Sequence, residues 1–396
     1  MTRLHSGLTG LGLGAIAVIA VLAACGPAHS PAPPTTAATA SPTPTPTSLP
    51  TPSPTTAPPA PLVVTSREAG PSGTPWTAVQ LSLVGEDGTV EATYLDVGGP
   101  YGDSYAVGSD HVYFIDGTVV KAMARDGTVT DVGYVPQVST TATDEDVQSD
   151  TALAVSPDES TLVFGMPIAI QGDNGATSDR SQLWSEPLGG TTAAATMVYN
   201  DANNDDQILL PFAWSSTDVW VSQLSTSGLG GAGPFLDYSH FDAATFDPAT
   251  HVLKPLTGDC VPSDDYAIDS SSPNVVCHGL PSDASVTVEL PSGTRTVTMQ
   301  PASAAYGSIR VSDDGRCLAY GAYVGVFGNG HYNATVVDLT SGVLVSTVQG
   351  YTPMQWLNDD RLVVSPSFAG GATYLLSPSF DSPVKLSSDQ PTGALP

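Results

Sequence analysis

From Leu62 onward the chain shows little helical periodicity. Four- to eight-residue runs, apolar throughout or alternating apolar and polar, recur between Asp-Gly, Ser-Gly, Gly-Gly and Ser-Pro-Asp turns, which is the punctuation of β-hairpins. Asp87-Gly88 separates Ala78–Leu83 from Val90–Leu95, Asp126-Gly127 separates Val119–Met123 from Val129–Val132, and Ser341-Gly342 separates Ala334–Leu339 from Val343–Val348. Each run alternates well enough to set one face against a neighbouring layer.

A longer period lies over the hairpins. Units of about 40 to 50 residues, a length typical of propeller blades, open with a short strand ending in Ser-x-Asp or a close variant. They then turn into a very apolar strand, cross a variable loop and close with a hairpin. Ala152–Asp158 leads into Thr161–Gly165, Ser308–Gly315 into Cys317–Gly321, and Met354–Asp360 into Arg361–Ser365. Four short strands per repeat predict an all-β fold, a β-propeller in which each blade buries its faces against the next. The units fall at 62–99, 100–137, 146–201, 205–258, 264–304, 305–352 and 353–392. Seven is therefore the expected blade number, with six and eight as alternatives and a pair of β-sandwich domains as the competing architecture. The first unit lacks an inner strand, so a strand from the far end of the chain is expected to close the ring. The Ser-Pro-Asp and Ser-Asp-Asp-Gly turns before apolar strands resemble TolB-like and WD40-like propeller repeats, without the Gly-His and Trp-Asp pairs of true WD40 blades. The resemblance covers most of 62–396 and implies a fold, not an activity.

The first 61 residues follow another pattern. Arg3 precedes an apolar run, Leu8 to Ala24, that ends in small residues as a cleaved secretion signal does. Leu22-Ala23-Ala24-Cys25 resembles the lipobox of bacterial lipoproteins, which implies a signal peptide over 1–24 and acylation of Cys25 as the first mature residue. A plain secretory signal and an uncleaved helix are the other readings. Between Gly26 and Ser66 there is no charged residue, and Pro, Thr, Ser and Ala make up nearly all of Ser30 to Pro61. Such a composition cannot bury a core and stays extended as a semi-rigid spacer; at about 3.1 Å per residue it would reach on the order of 100 Å. It also permits O-glycosylation. The expected order is thus signal 1–24, lipid-anchored linker 25–61 and propeller 62–396, on the extracytoplasmic side of the cell membrane.

Charge narrows the partners. All 39 acidic residues follow the linker, against 11 Lys and Arg in the whole chain and a net charge of −28. A surface so negative repels phosphate backbones, so nucleic acid is not an expected partner. The expected partners are the membrane, through the Cys25 anchor, and a protein or small-molecule ligand; the expected state is a monomer.

The remaining cysteines suit export. Cys260 and Cys277 flank a Pro-, Ser- and Asp-rich stretch and are the expected disulfide in an oxidising compartment. Cys317 lies in the apolar run Arg316–Tyr320 and reads as a buried small hydrophobe.

Candidate chemistry is sparse. No Gly-x-Ser-x-Gly elbow is present, and His111, His240, His251, His278 and His331 lack zinc spacing. Asp201, Asn203 and Asp205 stand at positions 1, 3 and 5 of a short acidic loop, the oxygen pattern of a calcium site. Yet Asp206 replaces the glycine and Phe212 the bidentate Glu, so a solvated turn competes with calcium, and no other cofactor is expected. Ala124–Val129 resembles the middle of a sialidase Asp-box without its ends. The aromatic, glycine-rich stretches Gly228–Phe235 and Tyr323–Tyr332 are candidate binding loops. The expected function is a non-catalytic binding or scaffold module with no catalytic residue assigned. The alternative is a propeller enzyme, a lyase or sugar-acting hydrolase, using carboxylates gathered with histidine or arginine at a channel mouth.

Overall fold

The computed structural model describes residues 59–396 except 72–76, 97, 100–103, 139–144, 148–150, 172–176, 192–193, 201–206, 226–242, 257–259, 264–273, 279–281, 327–328, 359, 367–370, 378 and 381. The described residues fall in one unit, Pro58–Pro396. Among them the regular structure is entirely strand, arranged as seven antiparallel sheets. In six sheets the order is four strands side by side; the third adds a fifth short strand. The second blade, for example, runs Tyr105–Val107, His111–Asp116, Val119–Ala124, Val129–Tyr134. All three hairpins expected at Asp87-Gly88, Asp126-Gly127 and Ser341-Gly342 form.

The first strands of successive blades touch round the ring. Tyr105–Val107, Ala152–Val155 and Gln207–Trp214 meet in turn, and so do Ala305–Val311, Thr352–Asn358 and Gln390–Leu395, the last also reaching Tyr105–Val107. They are the inner strands. Ring closure is as expected: Gln390–Leu395 pairs antiparallel with Leu62–Ser66 and supplies the inner strand that the first blade lacks.

The apolar face of each blade is buried against its neighbour's. Leu83, Leu81, Val112 and Phe114 join blades one and two; Val286, Val288, Tyr306 and Leu318 join five and six; Ala319, Val336, Leu362 and Val364 join six and seven. Each large side chain buried in this way contributes about 1.5–3 kcal/mol, and the alternation read from the sequence becomes one face toward each neighbour.

Two local expectations need correction. Cys260 and Cys277 do not merely flank a loop; Cys260–Pro262 and Val275–Cys277 are paired strands with the two cysteines directly opposite. The fifth blade therefore starts at Cys260 and not at 264, because a three-residue strand is too short to show a period. In the third blade the inner edge is shared by two strands on one partner: Ala152–Val155 pairs with Leu162–Gly165 and Glu145–Val147 with Ile168–Ile170. The partner strand, Thr161–Gln171, and its mate Thr177–Pro187 run eleven residues each.

The Ser-x-Asp turn between first and second strands has a consistent physical basis. Ser156 Oγ donates to Asp158 Oδ1 (2.7 Å) and accepts from the Thr161 amide (3.0 Å). Ser312 Oγ does the same with Asp314 (2.7 Å) and the Cys317 amide (2.9 Å). The side chain thus completes the backbone bonds that the turn leaves open. In the seventh blade Asn358 Oδ1 accepts from the Asp360 amide (3.2 Å), and a fourth copy in blade four uses Ser215, whose Oγ accepts from the Asp218 amide (3.3 Å).

Candidate functional site

Antiparallel strands put the first-to-second and third-to-fourth turns at one end of the ring and the remaining connections at the other. Among the described residues, Glu159 with its partners stands out at the first end and a rim of tyrosines at the second.

At the Ser-x-Asp end, Glu159 joins blades two and three. One carboxylate oxygen accepts from Ser109 Oγ (3.0 Å) and the Asp110 amide (2.8 Å); the other contacts His111 Nδ1 (2.6 Å) and accepts from Tyr113 Oη (2.7 Å). Burial pushes this carboxyl up, but the bonds from Asp110, Tyr113, His111 and Ser109 together outweigh it and hold Glu159 below the usual carboxylate range. Gly108 is glycine because a Cβ there would land on that carboxylate. Glu159 itself sits at φ 50°, in the left-handed region, a strain held by its four partners. Beside it the Arg125 guanidinium donates to the carbonyls of Ala60 (3.0 Å), Ser109 (3.2 Å) and Pro396. Arg125 therefore grips both segments that meet at the open corner of the first blade, where its inner strand ends and its second begins.

This joins the Glu159 carboxylate with a histidine beside an arginine, where the enzyme alternative requires several carboxylates at a channel mouth, and its chemistry is that of a lock. A general base needs a free lone pair within reach of a proton. Both oxygens of Glu159 already have two partners, and its lowered pKa makes it a weaker base still. The group is not legible in the sequence because its members come from separate blades; only His111, among the scattered histidines, and Arg125, in a chain with 11 Lys and Arg, stand out there.

At the other end, between blades six and seven, lies a rim of tyrosines. Tyr323 and Tyr332 are opposite each other on adjacent strands, with ring centroids 5.1 Å apart and planes at 60°, the edge-to-face arrangement aromatic pairs favour. Tyr323 Oη accepts from the Gly330 amide (2.9 Å) and donates to the Val326 carbonyl (3.0 Å), which closes the loop on itself. At the tip Val326 is 77% exposed, more than any other large apolar side chain described. The Gly350 amide donates to the Tyr332 carbonyl (2.7 Å) and leads to a second pair, Tyr351 and Tyr374, also 5.1 Å apart at 72°. Burial, with the neighbouring tyrosine adding to it, raises the Tyr332 and Tyr351 hydroxyls. They remain neutral hydrogen-bonding groups on an apolar body. The rim thus offers aromatic faces, neutral donors and an apolar tip, with His331 next to Tyr332.

The other predicted site residues are distributed as follows. Cys260 and Cys277 form the disulfide. Cys317 is a free, buried cysteine whose thiol burial pushes up, an inert position. Cys25, the calcium candidates Asp201, Asn203 and Asp205, His240 and the loop Gly228–Phe235 lie outside the described residues. Among the described residues no group of three or more His, Cys, Asp or Glu could hold a metal. His278 bonds the Asp283 carbonyl (3.0 Å) in blade five, while His251 and His331 belong to blades four and six. The Asp-box-like stretch Ala124–Val129 is a hairpin turn, in which Asp126 Oδ1 accepts from the Thr128 amide (2.9 Å). No helix among the described residues is long and apolar enough to cross a membrane.

No protein-family model matches the chain, and no curated protein matches it. Among solved structures it is similar to a putative TolB from Agrobacterium tumefaciens, at 10% identity over 84% of this chain and 92% of that one with a TM-score of 0.33. It is similar also to TolB from Acinetobacter baumannii, at 12% identity over 83% and 80% with a TM-score of 0.35. Prolyl oligopeptidase B from Galerina marginata matches at 10% identity over 74% of this chain and 51% of that one, with a TM-score of 0.37. The assignment of this chain as a seven-bladed β-propeller rests on its own strand pairing and on the closure of its first blade by Gln390–Leu395.

Proposed function

We propose that the protein is an exported, lipid-anchored propeller that works as a non-catalytic binding module at the cell envelope. In this reading Cys25 carries the lipid, residues 25–61 are the stalk, and the rim of blades six and seven meets a protein or small-molecule ligand. The observation that carries it is the contrast between the two ends of the ring. Both carboxylate oxygens of Glu159 are taken up by hydrogen bonds from blade two, whereas the tyrosine rim ends in an exposed apolar tip. Long loops on a rigid scaffold are where propellers and other β folds place recognition.

The rim is tested by photo-crosslinking in intact cells from a benzoylphenylalanine placed at Val326, with the same label at Val384, another exposed apolar position, as the control. Adducts specific to position 326 are expected; equal labelling from the two positions would overturn the rim as the contact surface. The anchor is tested separately. Cys25→Ala is expected to abolish palmitate incorporation and shift the protein from the membrane fraction to the soluble one, and unchanged labelling would refute it.

A further inference from the structure

The seam between blades seven and one is divided. Its half toward the Ser-x-Asp turns is apolar, built from Val63, Val84, Leu357, Val363 and Leu375. Toward the other end the same faces turn polar. Thr65 lies two residues beyond Val63, Ser365 two beyond Val363 and Thr373 two before Leu375, so strand alternation keeps all three in the seam. Thr352 is opposite Ser365 and Gln355 opposite Val363, which places them there too. Thr65, Thr352, Ser365 and Thr373 are each fully buried.

Thr373 Oγ1 is satisfied, donating to the Asp389 carbonyl (2.7 Å). Thr65 Oγ1, Thr352 Oγ1, Ser365 Oγ and Gln355 Oε1 are buried and make no hydrogen bond to another protein atom. Leaving one such group dry is costly, and here four face one interface. We propose that this half of the seam is an internal hydration site, holding ordered water between Thr65, Thr352, Ser365 and Gln355. The chemistry selects water on two grounds. Three hydroxyls and an amide oxygen present no charge to an ion, and the carboxylate of Asp389, whose carbonyl accepts from Thr373, has its own partner in Arg67 (3.9 Å). The complete burial of the hydroxyls leaves no opening for a larger ligand, whereas water with two to four polar partners fits such a place.

The sign of a hydroxyl deletion decides the matter. Thr65→Val and Thr352→Val keep the shape and remove the hydroxyl. If water bridges these groups, each variant lowers the urea unfolding midpoint, as Thr373→Val also must through its lost protein bond. A rise in midpoint for Thr65→Val and Thr352→Val would mean that dry, unpaired groups had been removed, and would overturn the proposal. A high-resolution crystal structure of the wild-type chain gives an independent readout should a variant fail to fold. Solvent density bridging Thr65, Thr352 and Ser365 supports the site, and continuous van der Waals packing there overturns it.

Discussion

Glu159→Ala is expected to cost the ring about 3 kcal/mol, read as a fall in the urea unfolding midpoint at neutral pH. The estimate follows from what the carboxylate satisfies. Removing it strands the Tyr113 hydroxyl, the Asp110 amide and the Ser109 hydroxyl and frees His111, and each buried group left unpaired costs about 1–3 kcal/mol, part of which water recovers at this partly open site. Glu159→Gln should fall between the two, since its amide keeps one accepting oxygen but turns a second donor toward groups that donate. The pH dependence has a definite sign. Because the folded pKa lies below the unfolded one, the carboxylate's contribution is complete above the ordinary glutamate range near 4.3. It is then lost as pH falls through the depressed folded value. The gap between wild type and Glu159→Ala should therefore close in acid. A gap that is absent at pH 7, or that widens on acidification, would show that Glu159 is not the tie between blades two and three.

The second large effect concerns the fifth blade. Replacing both Cys260 and Cys277 with serine is expected to remove about 3 kcal/mol, the chain-entropy value for a loop whose ends are 17 residues apart. The two strands it joins, Cys260–Pro262 and Val275–Cys277, have three residues each, so few ladder bonds hold that pair without the covalent link. Reduced wild type and the double serine variant should unfold at the same lower urea concentration, with the oxidised protein well above both. Coincidence of all three curves would mean that the bond adds nothing to the ring.

Much of the fold is legible in the sequence because short-range chemistry encodes it. Asp87-Gly88, Asp126-Gly127 and Ser341-Gly342 each name a turn, and the apolar runs beside them name two strands. Counting those units yields seven blades, and the missing inner strand of the first unit points to closure by the last. Less legible are elements too short to carry a period, such as Tyr105–Val107, Cys260–Pro262 and the split inner edge of blade three. For the candidate site the balance is different. Tyr323–Tyr332 stands out as an aromatic loop, but Tyr351 and Tyr374 join it only once blade seven is folded beside blade six. Glu159 sits 48 residues from the histidine it binds and reads in sequence as an ordinary surface charge. Thr65, Thr352 and Ser365 likewise look like solvent-facing hydroxyls, since alternation tells which face a residue takes and not whether that face is apolar along its whole length.

The closure strand also fixes an order of events. Leu62–Ser66 is among the first ring segments to be synthesised, and Gln390–Leu395, its partner, is the last. Blades two to seven can form as they emerge, each on the one before, but the first blade stays without its inner strand until Gln390–Leu395 has emerged. A chain threaded N-terminus first, through a ribosomal tunnel or any narrow pore, thus cannot lock prematurely into a finished disc. A ring interrupted before residue 390 is left with the edge of Leu62–Ser66 unpaired.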